Sequence, residues 1–269
     1  MSKLNILNNT LSFEQKKELL EEKSLLAEQT QPNQKLKTLP KMVGITPDTA
    51  KGLKTKAFKY ILGHDKDRKI LKAILKHPLR YTFRYLTSIF KKKNYHRKED
   101  LFFYGVKSKE AFINQCKRKN AHLVVGFSYC QKPHECPSGR FTDKCIRDFT
   151  NPICAQCDIG KLCALAPKNS SLVMIPTVHD IGNLFFDLVH KEPDKEHLFV
   201  ITACEMTLTM FADFGNMLAL KGIGIRLDGR ICNTMRAFDL SERGVKPGLT
   251  VLRSKTYDQM LELFKDLEN

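Results

Sequence analysis

The 269-residue chain contains no stretch of about 18 uncharged apolar residues, so no segment reads as a membrane-spanning helix. Its first residues, MSKLNILNNTLSFEQKK, lack the uninterrupted apolar region of a secretory signal, which points to a reducing cytoplasm. Cysteines there act as ligands or redox groups more readily than as bridges. There is no P-loop, and Gly222 and Gly224 fall outside any G-x-G-x-x-G arrangement, so nucleotide binding has no motif behind it. No second C-x-x-C pair follows Cys154 and Cys157, which argues against a simple zinc ribbon. Neither an internal repeat nor a low-complexity tract is present. Acidic residues are nearly missing from one region: residues 51–98 hold 16 Lys and Arg against 2 Asp and Glu, a net +14 of the +16 carried by the whole chain. Such a field attracts phosphate, either in nucleic acid or in anionic lipid head groups. A solvated basic face that aids solubility has the same composition.

With 42% hydrophobic residues, the chain holds enough apolar material for a core without staples. Ser12 and Gln15 have the spacing of a capping box, and Leu19, Leu20, Leu25 and Leu26 recur at helical intervals after it. Residues 30–45 read as a linker, and Thr46 with Pro47 opens a second helix that stops near Gly63. From Arg68 to Phe90, Ile70, Leu71, Ile74, Leu75, Leu79, Phe83, Leu86 and Phe90 keep close to a 3.6 period with basic residues mainly opposite. Pro78 should kink or divide this element. Such a helix either packs its apolar face on a core or lies in a membrane interface with Lys91, Lys92 and Lys93 at the head groups. The second outcome would make the protein peripheral at the inner face of the membrane.

Beyond residue 100 the pattern changes. Ser108 caps a helix ending near Cys116, and strand-like runs follow at 122–127, 172–175, 198–202 and 223–227. Helical patterns at about 181–190 and 206–220 separate them, and a last amphipathic segment covers 257–267. The alternation predicts an α/β fold: a mostly parallel, Rossmann-like sheet with helices on both faces. Residues 1–100 form a basic helical N-terminal region, and 101–269 a cysteine-rich α/β domain.

The cysteines carry the functional signal. Cys130, Cys136, Cys145, Cys154, Cys157 and Cys163 lie in one loop-rich segment, while Cys204 and Cys232 follow later strand-like runs. Sites in open parallel sheets form beyond the carboxyl ends of the strands, and Cys130, Cys204 and Cys232 all fall there. The C-x-x-C pair lets two thiolates bind one metal from a tight turn. Up to eight thiols exceed the needs of one tetrahedral zinc, so an iron–sulfur cluster is the expected cofactor, with zinc as the alternative. A redox partner would go with the cluster. With zinc, the protein is instead an interaction module that docks nucleic acid or membrane through residues 51–98. Several of these residues could also be plain buried thiols, and Cys116 inside a helical pattern reads as one. Cys204 at a helix start gains from the macrodipole, which suits a ligand or a nucleophile. Glu205 reads as a first-turn acid or a substrate-orienting group, and His134 as a candidate ligand or proton donor. Arg140, Arg226 and Arg230 would hold an anion or offset a cluster's charge.

Four blocks, YCQKPHECPSGR, CAQCDIGKL, ITACEMTL and GRICNTMRAFDL, occur in that order between residues 120 and 240. In them the chain resembles a bacterial and archaeal family known as domain of unknown function 116. The resemblance implies that Cys130, Cys136, Cys154, Cys157, Cys204 and Cys232 match recurring family cysteines with a cytosolic metal or iron–sulfur role. It also implies membrane association, since family members often carry a hydrophobic N-terminal region. Where the family commonly has a cysteine three residues before Cys154, this chain has Asn151, and Cys145 or Cys163 would have to replace it.

Overall fold

Alternating burial along the strands builds the centre of the protein. On β3 (Ala121–Ser128), Val124 enters one core while Leu123, Val125 and Phe127 enter another. Phe199 and Ile201 on β5 (Glu196–Ala203) divide from Leu198 and Val200 in the same way. A sheet apolar on both faces must be covered on both, as parallel sheets are. The computed structural model describes residues 53–65, 67–90 and 95–268, with Ser12, Gln15, Glu18, Glu22, Ile45 and Thr49 before them. Of the expected N-terminal features, the capping box is formed: Gln15 N donates to Ser12 Oγ (3.2 Å) and Ser12 N to Gln15 Oε1 (2.9 Å). The leucines after it, most of the 30–45 linker, Thr46 with Pro47, and Lys91 to Lys93 lie outside the described residues.

Helix α1 is Leu53–His64, and the next helical stretch is split as Pro78 requires, into α2 (Lys69–Lys76) and α3 (Pro78–Phe90). Then come β1 (His96–Lys98), β2 (Leu101–Tyr104) and α4 (Lys109–Cys116), the last capped by Ser108 Oγ accepting from Ala111 N (3.2 Å). After β3 the chain runs through α5 (Pro152–Gln156), α6 (Asp158–Leu165), β4 (Ser170–Ile175) and α7 (Val178–Lys191) to β5. It closes with α8 (Glu205–Met217), β6 (Lys221–Arg226), β7 (Asp228–Gly229), α9 (Met235–Ser241), β8 (Thr250–Val251) and α10 (Ser254–Glu268).

The sheet order is β1-β2-β6-β5-β3-β4. The last four strands are parallel, while β2 joins β6 antiparallel and β1 joins β2 antiparallel. The fold is therefore α/β with a mostly parallel mixed sheet. The antiparallel edge was not expected, because HRK and LFFY are too short to show a period. The side chains of β1 are all exposed, and its charges suit an open edge. Residues of α1, α2, α3, α7 and α8 share one core, which includes Leu53, Ile70, Tyr81, Phe185 and Phe211. Phe112, Ile159, Met260 and Phe264, from α4, α6 and α10, belong to the other. No described helix is long and apolar enough to cross a membrane.

Candidate functional site

From β3 the chain moves outward to β4, then returns to β5 on the opposite side of β3. This is a topological switch point, and the crevice beyond the carboxyl ends of two such strands is where open sheets bind ligands. Cys130 lies two residues past β3, in the short turn Tyr129–Gln131, and Cys204 directly follows β5 as the N-cap of α8. The two thiols therefore flank the crevice. Cys232 reaches it from the connection between β7 and β8, whose pairing also brings the 245–251 segment alongside. Cys130, Cys204, Cys232, Ser241 and Glu242 line one narrow pocket there.

Lys246 gives this pocket its charge. Buried with Cys232, it donates from Nζ to Cys232 Sγ at 3.2 Å. Arg140 Nη1 fixes the lysine's backbone through the Lys246 carbonyl (2.7 Å). Burial opposes the ammonium charge, yet the facing sulfurs of Cys130, Cys232 and Cys204 outweigh it and raise the lysine pKa. Cys232 is held well below the ordinary thiol range by the hydrogen bond from Cys204, against burial, with help from Lys246 and Ser241. Cys204 is pushed up, because it donates to Cys232 and is itself buried. Burial also raises Cys130. The helix start at Cys204 suggested a thiolate there, but tertiary contacts place the anion on Cys232. The Cys204 hydrogen bond, with the Lys246 ammonium behind it, acts on Cys232 and not on the residue at the helix start.

The remaining loop thiols form a second group. Cys136, Cys145, Cys154 and Cys157 line another small pocket with Lys132, Arg147 and Gly160. Lys132 is buried, and its Nζ holds the loop together through Gly139 O (3.0 Å), Thr142 O (3.0 Å), Thr142 Oγ1 (2.9 Å) and Lys144 O (2.7 Å). Cys157 starts α6, and its sulfur accepts from the N–H groups of Gly160 and Ile159; Cys154 accepts from Asp148 N–H. Burial raises both thiols, while these N–H donors favour the thiolate. A Cβ at Gly160 would sit 2.9 Å from the Cys154 carbonyl, so glycine lets α6 close on the C-x-x-C turn. Asn151 Oδ1 caps α5 by accepting from Ile153 N (2.9 Å) and Cys154 N (3.4 Å), a positional role for the residue found in place of a cysteine.

Seven of the eight expected ligands thus divide into two groups instead of lining one site, and the eighth stands apart. Cys163 sits in the core behind α6, where burial pushes its thiol up to about 12, and Cys116 packs in the same core with its thiol also pushed up to about 12 by burial. Among the described residues no three cysteine sulfurs lie within 4.8 Å of one another; only His122, Glu192 and His197 offer ligand atoms that close. Glu205 is the expected first-turn acid of α8. Glu205 bonds Arg97 (2.5 Å) and Arg226 (3.2 Å), and the buried Arg226 also faces Asp100 (3.5 Å) and Asp228 (3.8 Å). His134 receives an Arg140 N–H at 3.0 Å. A wider cleft of about 550 Å³ lies at the β1–β2 edge, but its Lys109, Glu262, Lys255 and Glu99 already pair with one another. It holds no thiol, and the chemistry is better sought in the two cysteine pockets.

No family model, no curated protein and no solved structure matches the chain. Sequence reading missed Lys132 and Lys246, since a lysine destined for burial looks like any surface lysine. It also missed His122 and His197, although the first opens a strand-like run and the second directly precedes one.

Proposed function

We propose that the protein is a metalloprotein whose Cys136, Cys145, Cys154 and Cys157 hold an iron–sulfur cluster next to a thiol crevice at the sheet's switch point. One observation carries this reading: four thiols line a single pocket, and two of them accept backbone N–H groups. Cluster thiolates are tuned by N–H bonds of this kind. A tetrahedral zinc, with Zn–S near 2.3 Å, needs its sulfurs about 3.8 Å apart, whereas no three of the described sulfurs lie within 4.8 Å of one another. A cluster spreads its ligands more widely. Bound there, it would supply one-electron transfer. The protein's own contribution is the positive charge of Lys132, the N–H donors and the closed α5–α6 turn.

On this reading the crevice of Cys130, Cys204, Cys232 and Lys246 is the reacting or substrate-binding side, in a Rossmann-like sheet. The resemblance in the four cysteine blocks agrees with both placements. Iron and acid-labile sulfide analysis of anaerobically purified protein is the test. Iron, sulfide and a broad visible absorption are expected; zinc without iron would make the site a structural one.

A peripheral membrane role is favoured over nucleic-acid docking by one feature. Leu75, Leu79 (87% exposed), Phe83 (70%), Leu86 and Phe90 (82%) form an exposed row along α2 and α3, beside the basic residues. The opposite face packs through Ile70, Tyr81 and Ser88, with Ser88 Oγ donating to Asp213 Oδ1 at 2.7 Å. One face therefore packs on the core, and the other is left exposed. An apolar row gains nothing on a phosphate backbone but inserts readily at a lipid interface.

A further inference from the structure

The opposite edge of the sheet carries a group that none of the thiol chemistry uses. The second residue of both β3 and β5 is a histidine, and their parallel register sets His122 directly beside His197, with ring centroids 5.4 Å apart. Glu192 caps the carboxyl end of α7 and turns its carboxylate toward them, with Oε2 at 3.2 Å from His122 Nδ1. One ligand atom from each of the three lies within 4.8 Å of the others.

The hydrogen bonds of the two rings orient them toward a common point. His197 Nε2 is 3.1 Å from the Glu192 carbonyl, which can only accept, so the proton is on Nε2 and Nδ1 carries the lone pair. That Nδ1 is buried without a hydrogen-bond partner, in a residue only 5% exposed. A buried acceptor left unpaired is costly unless something occupies it. His122 Nε2 meets Ser171 Oγ at 2.8 Å and its Nδ1 meets Glu192 Oε2 at 3.2 Å, so an ion entering between them would take the place of the Nδ1 proton while Ser171 Oγ accepts from Nε2. Each imidazole thus has its far nitrogen fixed by a protein group, the arrangement that orients metal-binding histidines.

We propose that His122, Glu192 and His197 form a site for a divalent transition ion of the zinc class, bound through two imidazole nitrogens and one carboxylate. Two histidines and one glutamate are a donor set suited to such ions, and the half-exposed Glu192 leaves the remaining coordination positions toward solvent. The ion would tie the end of α7 to the starts of β3 and β5. Lys195 Nζ, 3.2 Å from Glu192 Oε2, competes for the carboxylate. The site is independent of the cysteine pockets, which lie beyond the other ends of the same strands.

Cobalt(II) titration of the reduced full-length protein separates the two kinds of ligand. Thiolate-bound cobalt shows an intense near-ultraviolet sulfur-to-metal band, whereas nitrogen and oxygen ligands give only weak visible bands. One equivalent of the second kind is expected, together with a rise in melting temperature. Glu192→Gln, a half-exposed change that leaves the core intact, should weaken this binding at least about tenfold, and Ser171→Ala, which frees the His122 ring, about tenfold. Lys195→Ala should strengthen it by about two- to fivefold, since it removes an exposed competing pair. Only sulfur-type cobalt spectra in the wild type, or nitrogen–oxygen bands unchanged by Glu192→Gln, would overturn the proposal.

Discussion

Lys246 Nζ stands 3.2 Å from Cys232 Sγ, and neither group reaches solvent to any extent. The ammonium faces the one thiol of this pocket whose pKa is lowered, a sulfur that also contacts Ser241 Oγ (3.4 Å) and the Ala237 carbonyl (3.5 Å). Removing one partner strands the other charge. Lys246→Met is expected to cost about 3–5 kcal/mol in chemical denaturation, as a broken buried ion pair does. Cys232→Ala combined with Lys246→Met should cost clearly less than the two separate losses added, because the double variant leaves no orphan charge. Additive losses would mean that the sulfur is an ordinary thiol.

The two cysteine groups respond differently to substitution if the metal belongs to the loop. Cys154→Ser and Cys157→Ser are expected to abolish bound iron, while Cys116→Ser keeps the full amount. Gly160→Ala should also lower iron content, since its methyl would press on the Cys154 carbonyl at 2.9 Å. Iron per protein, measured after identical anaerobic preparation, decides between these outcomes. Equal loss in the Cys116 variant would point to general instability instead of ligand loss.

Glu242 imposes a pH dependence of defined sign. Burial pushes its carboxyl from about 4.5 up to about 8, against the hydrogen bonds from Val178 N (2.8 Å) and Tyr60 Oη (2.9 Å) and with the Cys232 charge adding to the rise. Between those two values the folded protein holds a proton that the unfolded chain has released, so stability falls as pH climbs through the window. Below about 4.5 both states are protonated and this contribution is fully present. Glu242→Gln should flatten the fall and leave the variant more stable than wild type at pH 9, by on the order of a few kcal/mol. A slope that survives the substitution would assign the dependence to another group.

The exposed row on α3 should be dispensable for folding. Leu79→Ser with Phe83→Ser is expected to change stability by no more than about 0.5 kcal/mol per site, because neither side chain packs. The same change should remove co-sedimentation with acidic liposomes, and binding of the wild type should weaken steeply with salt. Retention on RNA that is indifferent to the double substitution would favour nucleic acid as the partner of the basic region.

Much of the framework can be read from the chain. Ser108, Ser12 and Pro78 act locally, and the structure uses each as its chemistry predicts: a cap, a capping box and a break. Strand-like runs ending near Cys130 and Cys204 place both thiols at the same sheet edge, since period-two burial and short connections are properties of neighbouring residues. Tertiary structure alone decided the pairing of thiols and charges. The order in which β3, β4, β5 and β6 lie side by side depends on long-range packing, and it is this order that opens the crevice between Cys130 and Cys204. The β7–β8 ribbon carries Lys246 to Cys232, and register sets His122 beside His197. The charge of a buried lysine and the anionic form of one thiol among several depend on burial and on partners distant in sequence. The sequence alone therefore placed most of the thiols near one sheet edge, while the fold determined which of them share a pocket and which carries the charge.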